Sequence, residues 1–169
     1  AINNVSPQYP AYNGHISAMK WKAGTEIVER GYKFEYDEIN RLKAATYGEG
    51  TSLIDNPNRY DEKVTLYDKM GNIENLERHG KADGTNVFGI IDNLTYAYTG
   101  NKLTKVTDSA TLTTTYYGAF QFVDGANDVT EYTYDANGNL KKDYNKKIVD
   151  IRYNSLNLPD GLQFTNGNT

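Results

Sequence analysis

The chain has 169 residues, a formal net charge of −4 and no cysteine, so disulfides, thiol nucleophiles and cysteine-ligated zinc are excluded. Acids and bases are interspersed, without the basic stripe that nucleic-acid binding requires, and no apolar run approaches the roughly 20 residues of a membrane-spanning helix. Fifteen tyrosines and fifteen glycines against two methionines tilt the composition towards β-structure. Tyrosine must then carry much of the core, and each buried hydroxyl needs a hydrogen-bond partner.

In chain order, the polar opening AINNVSPQYP leads to YNGHI at Tyr12 and a predicted strand over 16–21. Phe34 and Tyr36 alternate, which places them on one face of a strand, and YDEINRL follows from Tyr36. Gly, Asp and Asn cluster over 48–58, predicting a loop, before YDKMGNI at Tyr67. A second loop is expected over 80–89 and a short helical turn over 87–94. Tyr96 and Tyr98 lead into YTGNKL; a strand is predicted over 111–122 and a loop over 124–128. Tyr132 and Tyr134 lead into YDANGNL, a strand is predicted over 148–153, and YNSLNLP begins at Tyr153. The chain closes on polar FTNGNT, and both ends read as cuts within a longer protein. No stretch sustains a 3.6-residue period, so the prediction is an all-β fold of consecutive antiparallel hairpins, forming a single repeat region over 1–169.

The six tyrosine-led stretches, starting at 12, 36, 67, 98, 134 and 153, are variations on one unit with starts 19 to 36 residues apart, an irregular repeat. The unit has a physical logic. Asp135 at the first turn position accepts a bond from the amide two residues on. Gly138 at the fourth adopts positive φ without a Cβ clash, giving a type I turn with a G1 bulge. Asp68 and Gly71 repeat the pattern, and Asp37 with Asn40 substitutes the next best residue for that conformation. Leu42, Ile73 and Leu140 begin the return strands.

Tyr36-Asp37…Asn40-Arg41-Leu42, Tyr67-Asp68…Gly71-Asn72-Ile73 and Tyr134-Asp135…Gly138-Asn139-Leu140 resemble the YD repeats of Rhs proteins, the family that includes toxin-complex shell proteins and teneurins. The wording of the copies, including YGEG at Tyr47 to Gly50, is similar to Rhs proteins of Bacteroidetes. The resemblance implies a secreted or cell-surface protein whose hairpins wind into a hollow shell around a C-terminal cargo. It also implies that this chain is a non-enzymatic slice of the wall, with neighbouring repeats as partners and no cofactor. A cut sheet exposes unpaired edges, so the slice is expected either to cap itself or to form a homodimer through them.

Other chemistries fit less well. Asp135, Asn137 and Asn139 imitate the start of a calcium loop, but the glycine sits at position 4 rather than 6 and position 12 is Lys146. Glu35 with Asp37, and Asp124 with Asp128, are carboxylate pairs of the kind glycosidases use, although catalytic pairs usually come from separate elements. His15 and His79 are far apart, and no Gly-x-Ser-x-Gly or phosphate-loop pattern occurs. Trp21 and Tyr117 are the candidates for stacking on a sugar, which makes a carbohydrate-binding or adhesion module the alternative function.

Overall fold

The computed structural model describes residues 14–82, 86–112 and 119–167. Eleven strands are present: β1 (Ala18–Trp21), β2 (Arg30–Tyr36), β3 (Leu42–Glu49), β4 (Glu62–Tyr67), β5 (Ile73–Lys81), β6 (Phe88–Thr99), β7 (Lys102–Asp108), β8 (Tyr132–Tyr134), β9 (Leu140–Asp143), β10 (Ile148–Tyr153) and β11 (Pro159–Phe164). They form sheets ordered β1-β2-β3-β4-β5-β6-β7 and β11-β10-β9-β8, so every neighbour in a sheet is also a neighbour in sequence. The fold is all-β and hairpin-rich, as the alternating tyrosines predict, with no α-helix among the described residues.

Four local expectations need correcting. The stretch 87–94 is not a helical turn, because Phe88 onwards belongs to the twelve-residue strand β6. Its β-branched and aromatic side chains suit a pleated surface. The loop expected over 80–89 is shorter, since Gly80 and Lys81 end β5 and Phe88 begins β6; likewise Gly48 and Glu49 belong to β3. Residues 111–112 and 119–122 are not strand, and 113–118 lie outside the described residues, as do Tyr12 and Tyr117.

The chain divides into two compact units, Ala1–Leu94 with Ser109–Gln121, and Thr95–Asp108 with Phe122–Thr169. In the first, β2 and β3 pair Tyr32 with Tyr47 and Phe34 with Ala45, placing these side chains on one face. Across that face runs a row of rings: Trp21 to Tyr32 at 5.8 Å, Tyr32 to Tyr47 at 5.6 Å, Tyr47 to Tyr60 at 5.1 Å and Tyr60 to Phe88 at 5.5 Å. Tilted and edge-on pairs of this kind add about 0.5–1.5 kcal/mol each beyond area burial. They offset the scarcity of aliphatic side chains. On the other face, buried Leu53 folds back over Gly31 and Gly48, where any Cβ would strike it. In the second unit Val106, Tyr132 and Ile148 are the buried apolar residues, and they sit beside buried Glu131, Asp143 and Asn145.

Candidate functional site

The repeated tyrosine-led turn is the most elaborated feature of the molecule. At Asp37, Asp68 and Asp135 the backbone reverses within five residues. The amide of the aspartate donates to the carbonyl of Arg41, Asn72 or Asn139, at 2.9 Å in each case, and the amide of Asn40, Gly71 or Gly138 donates back to the aspartate carbonyl. The fourth position carries φ of 68°, 93° and 87° respectively, the conformation expected of it. Asn154 leads a further turn of the same build: Asn154 donates to Leu158, Asn157 donates back, and Asn157 has φ 56°.

The leading side chain does more than the sequence reading assigned it. One carboxylate oxygen accepts the amides two and four positions on: Ile39 and Arg41 at Asp37, Met70 and Asn72 at Asp68, Asn137 and Asn139 at Asp135. The other oxygen accepts from the side chain of the fifth residue: Arg41 Nε at 2.6 Å, Asn72 Nδ2 at 2.8 Å and Asn139 Nδ2 at 3.0 Å. Asn154 has one such oxygen and uses it for the amides of Leu156 and Leu158. These donors hold the carboxyls of Asp68 and Asp135 below the usual range, the side-chain amide first among the causes. At Asp37 desolvation pushes upward, and the Arg41 amide and guanidinium together outweigh it. Both oxygens of each carboxylate are therefore bonded within their own turn.

The tyrosine before each turn reaches the preceding hairpin. Tyr36 donates its hydroxyl to the Ile16 carbonyl at 2.9 Å, Tyr67 to Leu42 at 2.6 Å, Tyr134 to Leu103 at 3.0 Å and Tyr153 to Leu140 at 2.7 Å. Every acceptor is the aliphatic residue that closes the previous copy. The residue before that acceptor is twice a cation over the arriving ring: Arg41 lies 4.2 Å from the Tyr67 centroid and Lys102 5.5 Å from that of Tyr134. The turns also touch, through Arg41 Nη1 on the Asp68 carbonyl and Asn139 Nδ2 on Asn157 Oδ1. Each tyrosine pairs with the aliphatic position of its own hairpin (Tyr36 with Leu42, Tyr67 with Ile73, Tyr134 with Leu140, Tyr153 with Pro159) immediately after a one-residue shift of register. The residues skipped are Lys43, Glu74, Lys141 and Asp160, all charged, at a second bulge beyond the G1 bulge expected at the turn itself.

Away from the turns, buried carboxylates clasp one strand to the next. Asp61 accepts the Tyr47 amide at 3.0 Å while its carbonyl takes the His79 amide. Glu131, fully buried, accepts the Val106 amide at 3.1 Å, Asn145 Nδ2 at 2.8 Å and Lys105 Nζ at 3.0 Å, and its carbonyl takes the Tyr144 amide. Buried Asp92 holds Arg78 Nε at 2.6 Å. Sequence reasoning missed all three, although a signal existed. Asp61 and Asp92 each stand six residues before a repeat tyrosine, and their partners Tyr47 and Arg78 each stand five after the previous aliphatic position.

The remaining candidates disperse. Asp37 sits in its turn, Asp124 accepts the Asp108 amide, and the Asp128 carbonyl takes Lys105 Nζ. His15 stacks 4.7 Å from Tyr36. His79 lines a cavity of about 200 Å³ with Tyr32, Tyr60, Glu62 and Arg78, smaller than the roughly 300–1,000 Å³ of ligand pockets. No metal-holding cluster of three or more acidic or histidine residues occurs among the described residues. Trp21 is half-buried, its ring tilted 31° against Tyr32. No family model, curated protein or solved structure matches the chain.

Proposed function

We propose that the chain is a structural segment of a YD-repeat wall in an Rhs-like protein, secreted or at the cell surface. It would act without catalysis, by knitting successive hairpins into a continuing sheet that encloses cargo carried by the parent protein. The observation that carries this reading is the hydroxyl link from Tyr36, Tyr67, Tyr134 and Tyr153 to the closing residue of the hairpin before. Such a link has meaning only where one hairpin is laid against its predecessor. The turn carboxylates are spent on holding shape, which suits an architectural role better than a chemical one. Electron microscopy of the natural protein that carries these residues tests the reading: a hollow particle walled by β-sheet supports it, and a solid globular domain overturns it. Saturable glycan binding that disappears in Trp21→Ala with the fold intact would transfer the assignment to a carbohydrate-binding module.

A further inference from the structure

Glu131 holds a different kind of nitrogen on each of its two oxygens. Oε1 takes Lys105 Nζ at 3.0 Å and Oε2 takes Asn145 Nδ2 at 2.8 Å, in a site where Glu131 and Asn145 are both buried. An amine and a primary amide thus lie side by side on one carboxylate. The amide is also gripped from its other end: Asn145 Oδ1 accepts the backbone amides of Gly125 and Ala126, each at 2.9 Å. Backbone amides only donate and an ionised carboxylate only accepts, so the orientation of the Asn145 side chain is fixed. The loop that carries the two amides is pinned to β7 by Asp124, which accepts the Asp108 amide. It comes this close only because residue 125 is glycine, since a Cβ there would lie 2.8 Å from the backbone oxygen of Asn145. Two fixed donors on a carbonyl oxygen polarise its carbon and stabilise the negative charge that an attacking nucleophile places on the oxygen. A strand clasp alone does not call for this arrangement: Asp61 holds the Tyr47 amide with no ion pair to a lysine among the described residues.

We propose that Lys105 and Asn145 are the two halves of an isopeptide cross-link, which the chain forms on itself with Glu131 as proton carrier. The geometry described is that of the unreacted side chains. Lys105 first passes a proton to Glu131 along their hydrogen bond, leaving an amine and a carboxylic acid, the uncharged forms that burial of Glu131 favours. The amine swings from the Asp128 carbonyl, 2.7 Å away, onto Asn145 Cγ. Its lone pair forms the new N–C bond as the carbonyl electron pair moves onto Oδ1. Glu131 then gives its proton to Nδ2 and takes one from the attacking nitrogen, acting as acid and then as base. The pair on Oδ1 re-forms the carbonyl, the Cγ–Nδ2 bond breaks, and ammonia leaves with the remaining proton as ammonium. The step balances without oxidant, reductant or water. The bond would tie β7 to the connection between β9 and β10 in a chain that has no cysteine, closing a long loop as a disulfide does. It does not depend on the wall-segment reading.

Intact mass and a protease digest of the full chain, folded and incubated at neutral pH, test the proposal. The wild-type chain should weigh less than its sequence by one ammonia, and the digest should contain a branched peptide joining Lys105 to Asn145. Lys105→Arg keeps the charge without the amine and should have the full mass. Glu131→Gln still accepts the Val106 amide but carries no proton between the two nitrogens; it should keep the β signature in circular dichroism and remain uncrosslinked. Full mass in the folded wild-type chain overturns the proposal, and that measurement needs no variant to fold. A lost ammonia that the digest places at Asn137-Gly138, where an Asn-Gly pair closes on itself as a succinimide, also overturns it. So does a branched peptide that persists in Glu131→Gln, or a lost ammonia that persists in Lys105→Arg.

Discussion

The connections led by Asp37, Asp68, Asp135 and Asn154 and the places clasped by Asp61 and Glu131 solve the same problem at different range. A reversing or departing strand leaves amides that need acceptors. At the turns the acceptor comes from within five residues, and the solution is copied with small changes. At the clasps it comes from 14 residues away for Asp61 and 25 for Glu131, and the two acids differ in length and partners. The turns are exposed and self-sufficient, whereas the clasps are buried and depend on the rest of their unit. Turn defects should therefore be small and local, and clasp defects large.

Glu131→Ala should show the largest effect. It strips the acceptor from the Val106 amide, Asn145 Nδ2 and the Lys105 ammonium at a site with no solvent access. Breaking a buried pair of this kind costs about 3–5 kcal/mol, and the lower end is expected because Lys105 is partly exposed. Urea unfolding followed by tyrosine fluorescence measures it. A loss under about 1 kcal/mol, no more than one ordinary hydrogen bond, would erase the distinction between clasp and turn.

Gly138→Val comes next, at about 1–2 kcal/mol from holding a β-branched residue at positive φ. Nothing lies within 4 Å of a Cβ built at Gly138, so the cost is torsional alone. Gly138→Asn should lose only a few tenths of a kcal/mol, since Asn40 and Asn157 hold the same position at φ 68° and 56°. Equal melting temperatures for the valine and asparagine variants would show that the backbone does not hold this conformation in solution.

The contrast in range also explains what could be read from the sequence. The reversals at Tyr36, Tyr67 and Tyr134 were legible because aspartate, the glycine or asparagine and the closing aliphatic residue lie within seven positions of one another. The role of Arg41, Asn72 and Asn139 was within the same window and was missed, because the second carboxylate oxygen was assigned no partner. The hydroxyl links were hidden by the irregular spacing of the repeats: the acceptors of Tyr36, Tyr67, Tyr134 and Tyr153 lie 20, 25, 31 and 13 residues upstream. Residues 87–94 misled because a short apolar run has no period long enough to separate strand from helix.

Tyr134→Phe sits between the two classes, being a turn residue with a distant partner. It removes one hydroxyl donor from the Leu103 carbonyl and keeps the ring under Lys102. A loss of about 1 kcal/mol is expected in denaturant unfolding. An unchanged midpoint would mean that packing of the ring, rather than the hydroxyl, joins one hairpin to the next, and would weaken the wall reading with it.

The smallest effect at neutral pH should come from Asp68→Asn, and it sharpens the comparison through pH. Asn154 shows that an amide oxygen can serve both backbone donors of the turn, so the variant keeps those bonds and loses only the charge and its link to Asn72 Nδ2. The Asp68 carboxyl lies below its usual range in the folded chain, while the unfolded value stays near about 3.9. Its contribution is then complete above the unfolded pKa and disappears as pH falls through the lower folded value. The wild-type chain should lose more of its unfolding midpoint between neutral pH and strong acid than Asp68→Asn does. Parallel curves would mean that the turn carboxylate is no better bound in the folded chain than in water, and the five-residue turn would then owe its shape to Gly71 and the backbone alone.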